Sequence, residues 1–131
     1  CARATGIGAD GVVVLEPADD VVPGAALRMA YYNADGSRAS MCGNAALCTT
    51  RLAVALGAAP AGGFVIQTDV GAVPARIRPE DDLPEIELPA VRELAVDAPA
   101  IAPSDGERRV GFARAGVPHL VLRVDDIDDI A

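Results

Sequence analysis

The stretch from Gly43 to Leu56 constrains the fold of this chain more than any other. It has no Pro and no acidic residue, and between Asn44 and Leu56 only Arg51 is charged. Gly57 follows at once, a residue suited to ending a helix. The stretch therefore predicts one helix whose Ala, Leu, Cys and Val side chains leave little polar face, and a helix apolar nearly all round is buried. The segments around it read as strands. A buried helix among strands calls for an α+β, β-rich fold, with an antiparallel or mixed sheet wrapped around the central helix instead of lying on one of its faces.

The strands are read from alternation and turn signals. Gly11 to Leu15 is a buried apolar run. Leu27 to Tyr32 alternates imperfectly into an Asn-Ala-Asp-Gly turn at Asn33 to Gly36. Phe64 to Asp69 and Ala72 to Arg78 flank Gly71 as a hairpin, and Pro74 marks its second arm as an edge or bulged strand, because proline cannot donate to a ladder. Glu85 to Leu88 alternates and stops at Pro89. Arg109 to Arg114 and His119 to Val124 form a second hairpin. Between Pro89 and Arg108 the composition turns to Pro, Ala and acidic residues with weak periodicity, which reads as a crossing between two domains. This gives a first domain over 1–89, and over 90–131 the crossing with the start of a second domain. The acidic run Asp125 to Asp129 reads as a solvated loop or strand end.

Composition narrows the function. A net charge of −8 over 131 residues lacks the basic stripe that nucleic acid or an anionic membrane surface requires. No window approaches the roughly 18 apolar residues of a membrane span. No secretory leader is evident, although the chain opens on Cys1, and three cysteines without paired spacing make no disulfide framework, so a cytoplasmic location is expected. All 11 basic residues are Arg. Without Lys, this segment cannot hold pyridoxal phosphate as a Schiff base, and a single His leaves little for a metal site or a hydrolase triad. Gly6-Ile7-Gly8-Ala9-Asp10 lacks both the GK[ST] ending and the Rossmann spacing of nucleotide loops.

The chemistry-bearing segment is Met41-Cys42-Gly43-Asn44-Ala45-Ala46-Leu47-Cys48. It sets the thiol of Cys42 just before the first turn of the helix, where unpaired backbone N–H groups favour a thiolate and can also hold a substrate carboxylate. Gly43 permits close approach, and Asn44 adds an amide that donates or accepts. These parts suit binding an amino acid and removing its α-proton. From helix position alone, the plainer reading of Cys42 is a small, inert core residue. Cys48 lies six positions on, about 9 Å along the axis and about 120° around it, beyond disulfide reach, and reads as core filler. His119 reads as a structural hydrogen-bonder that would affect Cys42 only if the fold brought them together, and Asn33 reads as a turn residue.

Four segments in order resemble the diaminopimelate epimerase family. They are Gly6-Ile7-Gly8-Ala9-Asp10-Gly11, Tyr32-Asn33-Ala34-Asp35-Gly36-Ser37, Cys42-Gly43-Asn44 and Gly116-Val117-Pro118-His119. The resemblance spans nearly the whole chain and turns the reading of Cys42 from core residue to catalyst. It implies a two-domain epimerase, each domain a β-rich wrap around a helix, with one cysteine from each domain facing the substrate α-carbon. One removes a proton as a thiolate and the other delivers one as a thiol, and no cofactor takes part. Cys42 matches the first cysteine. Asn33, Gly43 and Asn44 match substrate-contacting positions, and His119 matches a histidine that tunes the cysteines' proton affinity.

The resemblance implies interconversion of LL- and meso-diaminopimelate, a step toward lysine and peptidoglycan precursors. The partner is a small amino acid, with no nucleic acid or membrane involved. Family members are often homodimers. The family's opening strand is expected before Cys1, and its second cysteine after Ala131, so this segment alone is expected to be inactive. Val117 stands in place of a usual substrate-binding Asn, and Ala45 and Leu47 in place of Gly and Arg. The alternatives are a related racemase or epimerase of proline, hydroxyproline or histidine, and a non-catalytic member of the fold used as a binding module. A fold-mate isomerase with a carboxylate base, as in phenazine biosynthesis, is disfavoured by Cys42.

Overall fold

A computed structural model describes residues 1, 4–98 and 107–129. The chain divides into two compact units, Cys1–Leu88 and Pro89–Ala131.

The first unit is a mixed sheet with one helix. Strands β1 (Gly11–Glu16), β2 (Leu27–Asn33), β4 (Phe64–Thr68), β5 (Gly71–Ile77) and β6 (Pro84–Ile86) lie side by side in that order, and the short β3 (Arg38–Ala39) pairs with β2. All pairs are antiparallel except β2 with β4, where Leu27 stands beside Ile66. This β-rich α+β arrangement is the predicted fold class. The connection from β2 to its parallel neighbour runs through β3 and the helix α1 (Gly43–Ala55).

Helix α1 packs on β5 and β6 and touches β1 and β2. Its buried residues are Ala45, Ala46, Thr49, Thr50 and Ala53. They meet a sheet face built from Leu27, Met29, Ile66, Val73, Ala75 and Ile77, all buried. The small helix side chains let the backbone lie close to the sheet, which compensates for the scarcity of aromatics. Thr50 returns its hydroxyl to the Ala46 carbonyl at 2.8 Å, whereas the buried Thr49 hydroxyl has no partner. The helix ends as its sequence predicts: Leu56 is the C-cap, and Gly57 takes a positive φ of 70° while its N–H bonds the Val54 carbonyl.

Several expectations need correction. The helix is covered on one side only: Asn44, Cys48 and Ala55 are exposed, and Leu52 is 47% exposed. Cys48 is therefore not core filler; it falls on the uncovered face because the five buried residues all face the sheet. The run Gly11 to Leu15 is not buried on both faces. As β1 is an edge strand, its residues alternate, with Val12 and Val14 at 44% and 40% exposure. Pro74 is in an interior strand, not at an edge. Its carbonyl accepts from the Glu87 N–H at 2.9 Å, and the β5–β6 ladder proper covers only Ala75 to Ile77, so the missing N–H falls where the ladder stops. The strand expected over Glu85 to Leu88 is confined to Pro84–Ile86.

Charge pairs tie the outer parts of the sheet. Arg38 on β3 grips Asp69, just after β4, through Nε to Oδ2 at 2.6 Å and Nη2 to Oδ1 at 2.8 Å, and Arg28 lies 3.7 Å from the same carboxylate. The Arg38 hydrogen bonds hold Asp69 below the usual carboxylate range against the opposing effect of desolvation, and the positive charges of Arg38 and Arg28 add to them. A carboxylate depressed on folding stabilises the fold above its unfolded value and loses that contribution as pH falls through its folded value. The urea midpoint of the wild type is expected to drop between about pH 5 and pH 2. Asp69→Asn should lower the midpoint at neutral pH and flatten that acid limb, leaving a residual slope from Asp19 and Asp35, which are depressed as well. Superimposable acid limbs for the two proteins would contradict the assignment.

The second unit is a three-stranded antiparallel sheet, β7 (Arg92–Ala95), β8 (Glu107–Ala115) and β9 (Val117–Val124), followed by a 3-10 turn, Ile127–Asp129. The predicted hairpin is present and turns on Gly116. Strand β7 falls inside the stretch of weak periodicity read as a crossing between two domains. A bulge between Arg92 and Ala95 removes the alternation that would have betrayed it, with Glu93 at a φ of 52° and its carboxylate held by Arg114 Nε at 2.8 Å. Residues 99–106 of that stretch lie outside the described residues. Residues 125–128 of the acidic run are exposed, as expected of a solvated segment.

Candidate functional site

The geometry centres on the start of α1. Cys42 is the N-cap, with φ −142° and ψ 115°; its carbonyl accepts from the Ala46 N–H at 3.0 Å, and its side chain makes no capping bond. The amides of Gly43, Asn44 and Ala45 therefore have neither an intrahelical acceptor nor a side-chain cap from Cys42, and the first turn carries no acidic residue. That end of the helix presents donors and partial positive charge beside a half-buried, free thiol.

Three clefts bear on where a ligand would sit. One of about 480 Å³ opens at the helix start, lined by Gly43, Asn44, Leu47, Arg78, Pro84, Glu85, Ile86 and Leu88. Another, of about 300 Å³, lies along β4, β5 and β6, and a third, of about 240 Å³, lies in the second unit. Only the first of these three includes members of the Cys-Gly-Asn triplet. Arg78 is among its lining residues. One of its terminal nitrogens pairs with Asp81, but its buried Nε has no partner. Glu85, on the same cleft, is paired with Arg76 at 2.8 Å. The helix start offers N–H donors, and Arg78 adds positive charge along the cleft, which suits a carboxylate-bearing small molecule. Among the described residues, no group of three or more His, Cys, Asp or Glu side chains gathers into a metal site.

The structure brings together some of the sequence-predicted residues. Cys42, Gly43 and Asn44 stand at the helix start, with Asn44 exposed. Asn33 ends β2 and serves the turn: its N–H bonds the Ser37 carbonyl at 2.8 Å, and its amide nitrogen donates to the Ser37 hydroxyl at 3.0 Å. His119 belongs to the other unit, exposed on β9 opposite Ala113. Val117 begins β9.

Sequence reading missed two neighbours of the site. One is Arg78, read only as a strand end. The other is Tyr31 on β2, whose phenol responds to the charge of Cys42. Desolvation, first, and then the charge and hydrogen bond of Cys42 with the charge of Asp10 hold this phenol above its ordinary range. No helix among the described residues is long and apolar enough to cross a membrane.

Comparison with known proteins bears on the same residues. The chain is 45% identical to a diaminopimelate epimerase of Gemmatimonas aurantiaca over 131 residues, which is 99% of this chain and 45% of that protein. It is 34% identical to one from Halorhodospira halophila, covering 95% of this chain and 46% of the relative. To one from Aquifex aeolicus it is 32% identical, covering 99% and 45%. The chain thus spans a little under half the length of these relatives. The family model for diaminopimelate epimerase matches residues 1–88, which takes in the whole first unit with helix α1 and Cys42 at its start. A sheet and helix that share this sequence pattern from end to end, with Cys-Gly-Asn at the helix start, place the chain in the diaminopimelate epimerase family.

Proposed function

We propose that the protein to which this chain belongs is a cofactor-independent epimerase that interconverts LL- and meso-diaminopimelate, serving lysine and peptidoglycan-precursor synthesis in the cytoplasm. The observation that carries the reading is the placement of Cys42 as N-cap of α1, next to the uncapped amides of the first turn, with Gly43 and Asn44 lining a cleft that Arg78 shares. A carboxylate held by those amides keeps the adjoining α-carbon close to the thiol. Fixed donors near the carboxylate also favour the negative charge that develops when the α-proton leaves.

In this reading Cys42, as a thiolate, takes the α-proton from one face, forming an S–H bond while the electron pair of the C–H bond stays on the α-carbon. A second thiol delivers a proton to the opposite face and inverts the centre. Cys48 is unsuited to that second role: it is six residues along the same helix, on a face turned to solvent. The second thiol is assigned to the part of the protein beyond this chain, and the segment alone is expected to be inactive. Asn33, Gly43 and Asn44 are assigned to substrate binding, and His119 to tuning the thiols.

The test is deuterium incorporation. The complete gene product, incubated in D₂O with LL-diaminopimelate, proline, hydroxyproline or histidine, is followed by NMR at the α-carbon. Exchange with diaminopimelate alone is the expected result. Exchange with another of these amino acids would retain the thiol chemistry and replace the substrate. A folded protein that exchanges none of them would overturn the reading in favour of a non-catalytic member of the fold.

A further inference from the structure

One edge of β2 is shared by two strands. Strand β1 runs along Arg28 to Asn33 on one side of β2, so the other partners of those residues use the opposite edge. There β4 takes Leu27 and Arg28, and β3 takes Tyr31 and Tyr32. The parallel ladder stops at Gln67, two residues before Asp69, and pairing resumes only with Ala39 and Arg38. The edge therefore has a joint, and a strand with so short a ladder opens readily unless side chains close the gap.

Arg38 closes it. Its Nε and Nη2 donate to the two Asp69 carboxylate oxygens at 2.6 and 2.8 Å, a bidentate geometry that fixes direction as well as distance. The guanidinium also lies over the ring of Tyr32, its cross-strand partner, at 5.8 Å from the ring centre. Candidate site residues flank this staple on both sides. Ser37, next to Arg38, receives the Asn33 N–H on its carbonyl and the Asn33 side-chain amide on its hydroxyl. In the other direction the buried Met41 leads into Cys42, four residues on from Arg38.

We propose that Arg38 is a positioning residue of the candidate site: by gripping Asp69 it fastens β3 to the end of β4, and so keeps Asn33 and Cys42 in a fixed place relative to each other. This rests on the reading of Cys42 as the reacting group and Asn33 as a substrate contact; Arg38 and Asp69 act through them. As a stabiliser the pair is modest, since the two side chains are 38% and 29% exposed. Arg28, 3.7 Å from the same carboxylate, also keeps Asp69 beside a cation when Arg38 is removed. Arg28 cannot replace the staple, because it stands on β2, already fastened along β1, and not on β3. What the fork adds is the placement of β3.

The experiment compares wild type, Arg38→Ala, Asp69→Asn, the double variant and Arg38→Lys, all as the complete gene product and well below their melting temperatures. Deuterium uptake by backbone amides of residues 34–42 is read by mass spectrometry, and kcat and KM are measured for α-hydrogen exchange. Loss of the staple should speed uptake in that segment about tenfold, with the interior of α1 unchanged. Misplacement by a fraction of an ångström to an ångström should lower kcat about ten- to a hundredfold. KM should stay within about threefold, since the helix-start donors are intact. The double variant should be no worse than the poorer single variant, because both remove one contact. Lysine keeps the charge but not the fork, so Arg38→Lys should recover the urea midpoint and not kcat, a split that a merely structural ion pair would not give; it also decides the matter should Arg38→Ala fail to fold. Unchanged uptake in residues 34–42, additive losses in the double variant, or full kcat in Arg38→Lys would each overturn the proposal. A folded wild type that exchanges no α-hydrogen would instead refute the epimerase reading, and the positioning role with it.

Discussion

Cys42→Ser in the complete gene product is expected to cut kcat for α-hydrogen exchange of diaminopimelate by about 10²- to 10⁴-fold, the range that a positioned acid–base group supplies. The change is nearly isosteric and leaves the N-cap backbone intact, and serine is itself a favoured cap, so the fold should keep or slightly gain stability. KM should change little, because the helix amides and the Arg78-lined cleft that would hold a carboxylate are untouched. The loss should be concentrated in kcat: a hydroxyl is far too weakly acidic to be present as an alkoxide near neutral pH, whereas a thiol ionises readily there. Steady-state exchange kinetics with a thermal melt on the same preparation provide the check. A loss under threefold in kcat from a folded variant would remove Cys42 from the chemistry and leave it a helix cap.

The largest expected effect on stability is at Ile66. Its side chain is 0% exposed on β4, between Leu27 on the parallel neighbour and Val73 on the antiparallel one, both buried. Truncation to Ala removes three carbons from a close-packed site and leaves a cavity that the surrounding strands cannot collapse into, at a cost of about 2–5 kcal/mol. For a unit of this size each kcal/mol lowers Tm by about 4–8 °C, so Ile66→Ala should melt at least about 10 °C below wild type. Paired urea titrations of the two proteins test this. A difference below about 1 kcal/mol would mean that the face between sheet and helix is not the core of the unit. The opposite face depends on other contacts: there the buried Gln67 receives the Asp19 N–H at 3.1 Å and donates to the Asp19 carboxylate at 2.6 Å.

What was legible in the sequence was what local chemistry decides. Helix α1 could be bounded because no breaker interrupts it and Gly57 ends it, and the β4–β5 and β8–β9 hairpins could be drawn because Gly71 and Gly116 sit at their turns. Edge and interior strands were harder to separate. Val12, Val13 and Val14 read as buried on both faces, yet half of that run is open, because a valine run is the same string whether one or two layers cover it. Cys48 was misread for a similar reason: apolarity all round a helix does not reveal which side finds a partner. At the site, Cys-Gly-Asn was visible as a triplet at a helix start, while the packing of Tyr31 against Gly11 needs the β1–β2 register, and nothing local in the sequence specifies it. Arg78 was missed likewise, since only the turn from β5 to β6 brings it to the cleft.

The parallel pairing of β2 with β4 has a kinetic consequence. Each antiparallel pair in the first unit closes between strands that follow one another along the chain, whereas Leu27 and Ile66 are 39 positions apart when they meet. Closure entropy grows as the logarithm of the loop, at about 0.6 kcal/mol for each doubling, and it must be met before any contact between β2 and β4 offsets it. The hairpins can therefore zip early as separate pieces, and joining them is the slow event in folding. Helix α1 lies within the loop being closed, so its docking on β5 and β6 coincides with that event, and the thiol at its tip acquires its surroundings last.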